Sequence, residues 1–310
     1  MQRVRLGRTG LSASVLGLGA GGSSRLGLFG SEGEVAALRV VRAALDYGVN
    51  FIDTAEAYGT EEVVGKALRE VARERVILSS KKTTFKEEAV TPAELERSLE
   101  TSLRRLGTDY LDIYHLHGVR PHAYAELRDR LLPTLERLKR EGKLRFLGIT
   151  EAFNDDPGHA MLQQALADDH WDVVMVGFNI LNQSARSRVF PRAIERDVGT
   201  LIMFAVRRAF SQPERLRELL SELAVRQRIA PETAQRGLDF VVHGAGASSL
   251  PDAAYRFCRD EPGAHVVLSG TGSLAHLADN VRSISQPALP AGDSARLQQL
   301  FRDVSEISGQ

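Results

Sequence analysis

Short runs of apolar and β-branched residues alternate along the chain with longer stretches in which apolar side chains recur every three or four positions among charged ones. The first kind predicts strands: SVLGLG (14–19), NFIDTA (50–55), VILSSK (76–81), LDIYHLH (111–117), FLGIT (146–150), DVVMVGFN (172–179), TLIMFA (200–205) and HVVLSG (265–270). The second predicts helices, as in SEGEVAALRVVRAALDYG, TEEVVGKALREVA, TPAELERSLETSLRRLG, AYAELRDRLLPTLERLKREGK and SLAHLADNVRSI. The third of these opens with Thr91, Pro92 and Glu94, which supply an N-cap, a first-position proline and an acidic first turn. Strands almost free of charge, each followed by an amphipathic helix, form the pattern of parallel strands covered by helices. Eight such units favour an α/β fold of the closed (β/α)8, or TIM barrel, kind over an open sheet.

Some segments fall outside the repeat. RVRLGRTGLSASV (3–15) predicts an N-terminal β-hairpin ahead of the barrel, placed to close its bottom. The region 211–264 is longer than one unit needs, and SARLQQLFRDVSEI (294–307) predicts an extra C-terminal helical segment; late additions of this kind tend to cover a barrel's active face. No linker, internal repeat or low-complexity stretch interrupts the pattern, so residues 1–310 are expected to form a single domain.

Charge and composition narrow the function classes. Forty basic residues balance forty acidic ones, so nothing in the net charge calls for nucleic acid or an anionic membrane. There is no long uncharged apolar run, and MQRVRLGRTG is not followed by a signal-peptide core, which leads us to expect a soluble, cytoplasmic protein. Cys258 is the one cysteine, which excludes an internal disulfide; its setting, AYRFCRD, predicts an inert thiol on a helix. Nothing in the composition specifies an oligomeric state.

GLGAGG (17–22) fits the G-x-G-x-x-G dinucleotide pattern, but the loop-like SSRLGLFGSEG follows where a helix should open. A glycine-permitted turn at the barrel mouth is the better reading. In such a barrel, chemistry gathers at the carboxyl ends of the strands. Asp53 and Tyr58 fall there after strand two, Lys81 after strand three and His117 after strand four. Each has a structural explanation alone: a turn cap, a rim aromatic, one of two adjacent lysines, a core histidine. His115 and His117 share a strand face, so alternation does not separate them. Their coincidence on three adjacent strands is the functional signal.

The chain resembles the aldo-keto reductase family almost end to end. The resemblance rests on RLGRTGLSASVLGLG, NFIDTAEAYG, the SSK ending strand three, LETSLRRLGTDYLDIYHLH, FLGIT and GTGSLAHLADN. It implies a catalytic tetrad of Asp53, Tyr58, Lys81 and His117, and selects Lys81 over Lys82 and His117 over His115. The implied activity is NAD(P)H-dependent reduction of aldehyde or ketone carbonyls, with Tyr58 as general acid and its phenol lowered by Lys81. It also implies cofactor contacts: Phe204 where the family stacks a tyrosine on the nicotinamide, and Thr150 and Glu151 in place of a Ser-Asn pair that binds the carboxamide. Met175 replaces a carboxamide-binding Gln. Arg207 and Arg208 would reach the pyrophosphate; Gly270, Thr271, Gly272 and His276 would meet the adenosine end, where a fixed cation is usual, and Asp279 and Asn280 would hold adenine. NADP(H) is the favoured cofactor, with NAD(H) the alternative; the partner is a small-molecule carbonyl or sugar. Competing readings are a sugar dehydrogenase running oxidatively with NAD, a nucleotide-binding barrel with little turnover, and a metal-dependent hydrolase built on HLH.

Overall fold

The computed structural model describes residues 1–85 and 90–310. Strands β1 (Arg3–Arg5) and β2 (Ser12–Ser14) pair antiparallel, with Arg3 opposite Ser14. This hairpin seals one end of the barrel by burying Leu6 completely beside Ala13, Phe51, Ile113, Val173 and Leu201. Gly7 is needed at its tip: it holds φ +48°, and a Cβ there would lie 2.3 Å from the backbone nitrogen of Gly199.

The eight predicted strands are all present, as β3 (Leu16–Gly19), β4 (Phe51–Asp53), β5 (Ile77–Thr83), β6 (Leu111–Val119), β7 (Leu144–Glu151), β8 (Val173–Gly177), β9 (Gly199–Met203) and β10 (Val266–Ser269). They pair in parallel, each with its successor, and β10 returns to β3 to close the barrel. Pairing carries β5 and β6 past the predicted ends, so Lys81 lies within its strand opposite His115, and Thr83 is opposite His117.

Outside run α1 (Gly33–Asp46), α2 (Glu61–Leu68), α3 (Pro92–Leu106), α4 (Tyr124–Arg140), α5 (Ala160–Ala167), α6 (Ala185–Arg188), α7 (Phe190–Glu195), α8 (Arg208–Ser211), α9 (Pro213–Val225), α10 (Pro231–Arg236), α11 (Leu250–Arg259), α12 (Leu274–Ser285) and α13 (Ala291–Leu300). The start of α3 is a capping box: Thr91 Oγ1 accepts from the Glu94 amide, and the Glu94 carboxylate accepts from the Thr91 amide at 2.8 Å. Helices α9 to α11 are the long late region. Cys258 is buried on α11, where burial pushes its thiol up, away from the reactive range.

The tail departs from expectation. Helix α13 ends at Leu300 rather than continuing to residue 307. Phe301 and Val304 turn into the core, and the amides of Asn179 and Asn182 donate to the carbonyls of Ser308 (3.2 Å) and Ile307 (2.8 Å). The last residues are thereby drawn back over the strand ends, where Gln310 lines the mouth cavity. Among the described residues, no helix is long and apolar enough to cross a membrane.

Candidate active site

Strand alternation decides the inside of the barrel. Asp53 ends β4, and on neighbouring β5 the side chains of Ser79 and Lys81 point inward with it; the Ser79 hydroxyl donates to Asp53 Oδ1 at 2.9 Å. The Lys81 ammonium, fully buried, donates to Asp53 Oδ2 at 2.5 Å and to the Thr54 carbonyl at 2.7 Å. Burial pushes the Asp53 carboxyl up, and the charge and hydrogen bonds of Lys81 and Ser79 oppose it. Lys82, one residue on, faces outward and pairs with Glu56 at 3.1 Å.

Tyr58 arrives from a short 3-10 turn, Glu56–Tyr58, stopped by Gly59 at φ +72°. Its hydroxyl lies 3.3 Å from His117 Nε2, and the Lys81 nitrogen is 5.0 Å from the phenol ring centroid. Gly21 of GLGAGG serves this placement: a Cβ there would sit 2.6 Å from the Tyr58 ring. The phenol is raised, not lowered. Burial outweighs the downward pull of Lys81, and Asp53 adds to the rise, so the expectation of an acidified phenol is corrected.

The two histidines on β6 have different surroundings. His115 is completely buried, within contact of Gly148, and neither ring nitrogen has a hydrogen-bond partner among the described residues. His117 reaches the mouth between Tyr58 and Phe85, whose ring centroid is 5.3 Å away, and burial followed by the Lys81 charge lowers it to about 3. The imidazole is therefore neutral near pH 7. Among the described residues, no three His, Cys, Asp or Glu side chains are grouped to hold a metal ion.

These groups open into a cavity of about 1580 Å³ that runs from Tyr58 and His117, past Met175 and Phe204, to Gly270, Thr271, Gly272, His276, Asp279 and Asn280. The late region contributes wall residues to it, among them His243 and Tyr255. A family model described as aldo/keto reductase family matches residues 15–302. The chain belongs to this family. Over 152 residues it is 40% identical to L-galactose dehydrogenase of Arabidopsis thaliana, a match spanning 47% of each chain. It is 28% identical to the aldo-keto reductase YhdN of Bacillus subtilis, covering 90% of this chain and 88% of that one. The solved aldo/keto reductase of Klebsiella pneumoniae in complex with NADP and acetate superimposes with a TM-score of 0.70 at 25% identity, over 97% of this chain and 95% of that one.

In this aldo/keto reductase, the positions at which the resemblance implies nicotinamide contacts differ in how far they are already engaged. Thr150 Oγ1 accepts from the Gly118 amide at 2.7 Å, which leaves its hydroxyl proton to donate elsewhere. Glu151 is committed: its carboxylate receives His159 Nδ1 at 2.9 Å and the Gly177 amide at 2.8 Å, in a fully buried pair. Phe204 holds φ +68°, stacks on Phe153 with centroids 6.1 Å apart, and carries the Arg207 guanidinium 3.7 Å from its ring centre.

At the far end, Gly272 is required by packing, since a Cβ would meet the Gly27 backbone at 2.5 Å. Ser273 caps α12, and Thr271 Oγ1 accepts from the Ser273 amide. Asn280 Nδ2 donates to Ser269 Oγ at 2.8 Å, which fixes its carboxamide. A cation here escaped the sequence reading: Arg282 lines the same end and pairs with Asp279 at 2.9 Å. The i, i+3 spacing of Asp279 and Arg282 on a predicted helix was the available signal.

Proposed function

We propose that the protein is an NAD(P)H-dependent oxidoreductase that reduces aldehyde or ketone carbonyls, with Asp53, Tyr58, Lys81 and His117 as its catalytic groups. One observation carries the reading: the Tyr58 hydroxyl and His117 Nε2 meet at 3.3 Å beside a buried lysine–aspartate pair, in a cavity of about 1580 Å³ whose lining continues to Asp279 and Asn280.

The donor set fits such a cofactor. A free Thr150 hydroxyl proton and the Phe204 ring suit a nicotinamide, while the backbone of 270–273, Thr271, Ser273 and the N-terminus of α12 suit phosphate. Asp279 and Asn280 stand where adenine would be held, with His276 beside them. The NADP of the Klebsiella relative favours NADP(H); Arg282, already shared with Asp279, makes the preference over NAD(H) modest. When bound, the reduced nicotinamide supplies the hydride.

The chain's own residues manage charge and proton. A carbonyl oxygen held between the Tyr58 hydroxyl and His117 Nε2 gains negative charge as its carbon is reduced. Tyr58 delivers a proton to it. A phenol raised by burial is fully protonated at neutral pH and so is ready to donate, and the Lys81 ammonium stabilises the phenolate left behind. Asp53 holds that ammonium in place. The neutral imidazole orients the carbonyl without competing as a cation.

The test is titration of the purified chain with NADPH and NADH, followed by steady-state turnover of a carbonyl panel with the tighter cofactor. Binding of neither would overturn the reading. The 40% identity to L-galactose dehydrogenase supports a second reading, oxidation of an aldose with NAD(P). It predicts faster turnover of a sugar than of any aldehyde in the panel.

A further inference from the structure

Arg207 is 8% exposed yet lines the cleft. Among the described residues it makes no ion pair: its Nη2 donates to Asn154 Oδ1 at 2.7 Å and Ser308 Oγ at 3.3 Å, both uncharged, and its buried Nε has no partner. The contrast with Arg256 is sharp. That guanidinium, 4% exposed, meets the Asp252 carboxylate and the carbonyls of Gly246, Pro287 and Ala288. Burial and the neighbouring Arg208 lower Arg207 to about 10, with no acid pulling the other way. A buried cation without a counter-charge is costly, and an incoming anion relieves that cost.

The direction of the side chain separates two possible anions. Strand β9 has β8 on one side and β10 on the other. A cofactor diphosphate would cross toward β10, whose following turn and α12 form the adenosine end. Arg207 leans the other way, over β8, to Asn154 after β7 and to Ser308 in the returning tail. There it lies on Phe204, in a part of the lining that also holds Phe153, Met175 and Met203. We propose that Arg207 is the recognition site for a carboxylate on the substrate, so that the preferred carbonyl compound is an oxo acid with its carbonyl at Tyr58 and His117. A carboxylate accepts from the Nη1–H groups, which have no partner among the described residues, and gains a second bond from Nη2 by displacing Asn154 or Ser308. This rests on the reductase reading for the position of the reacting carbon and reassigns Arg207 from the cofactor to the substrate.

The experiment compares kcat/KM for ortho-, meta- and para-carboxybenzaldehyde with the matching carboxamides, in wild type, Arg207→Met and Arg207→Lys. Wild type is expected to prefer at least one acid over its amide by about tenfold or more. The preference should disappear in Arg207→Met and return in part in Arg207→Lys. Arg207→Gln, which keeps donors for Asn154 and Ser308, should lose it equally and covers a poorly folding Met variant. Calorimetric titration of benzoate against benzamide reads the same site without turnover, and only benzoate binding should weaken on substitution. An acid-to-amide ratio near one in wild type, or one unchanged by Arg207→Met, overturns the proposal. So does a loss of NADPH affinity greater than about tenfold at an unchanged ratio, which would assign Arg207 to the diphosphate. Failure of every aldehyde with both cofactors would instead overturn the reductase reading, while the benzoate titration would still decide for or against Arg207.

Discussion

Tyr58 concentrates the opposing forces of the site in one hydroxyl: burial holds its proton on, while Lys81 makes that proton easier to give up once negative charge appears nearby. Tyr58→Phe removes the proton and little else. It is expected to leave NADPH affinity within about threefold and to lower carbonyl turnover by about a hundredfold or more; unchanged turnover would exclude the phenol as the acid. The two lysines test the same argument. Lys81→Met leaves the buried Asp53 without its counter-charge and should abolish measurable reduction, with a loss of stability of about 3 kcal/mol or more. Lys82→Met breaks only the partly exposed pair with Glu56 and should cost less than about 1 kcal/mol. Equal damage from both would mean that the pair acts as a diffuse positive patch. Strand alternation could have placed Lys81 inside from the sequence, but only with the strand end known, and pairing runs to Thr83, well past Leu78, the last apolar position.

At the scale of elements, what was legible depended on whether the signal was local. The capping box of α3 and the eight strand cores are short-range patterns and were readable directly. The end of α13 was not, because Phe301 and Val304 continue a helical apolar spacing while packing into the core by another path. The role of GLGAGG was also long-range: a Cβ at Gly21 would meet the Tyr58 ring, and one at Gly17 the side chains of Leu268 and Val266 inside the barrel. Gly21→Ala would place a methyl 2.6 Å from the phenol ring, which must shift. The expected result is a fall in kcat of about tenfold or more for a change far too small to unfold the chain, and full activity would show that the ring has room to move. On α12, Arg282→Gln is expected to weaken NADPH by about fivefold and NADH hardly at all. Equal weakening of both would place Arg282 against adenine or the diphosphate.

For the whole molecule, the barrel interior stores a proton-linked cost that the sequence showed only as the ambiguous pair HLH. His115 is pushed well below the ordinary histidine value by burial, then by Lys81 and His117, and His117 itself is lowered to about 3. Between pH 6.5 and 5 both rings stay neutral in the folded chain, while the unfolded chain takes up protons. The unfolded state binds more protons in that window, so stability rises with pH there and is lost on acidification, by roughly 0.7 kcal/mol per pH unit at pH 6.5, approaching about 1.4 near pH 5, for each such histidine. The carboxyls of Asp53 and Glu151 are raised by burial and act with the opposite sign, since the folded state would bind their protons first. The wild-type slope therefore mixes the two, and the difference between proteins is the cleaner measure. His115→Leu removes one depressed imidazole with no lost hydrogen bond among the described residues. Urea unfolding at pH 6.5, 5.75 and 5 should show an average stability slope shallower than wild type by about 1.1 kcal/mol per pH unit. Parallel slopes would mean that His115 is protonated in the folded chain, paired with an acceptor strong enough to outweigh its burial and the Lys81 charge beside it.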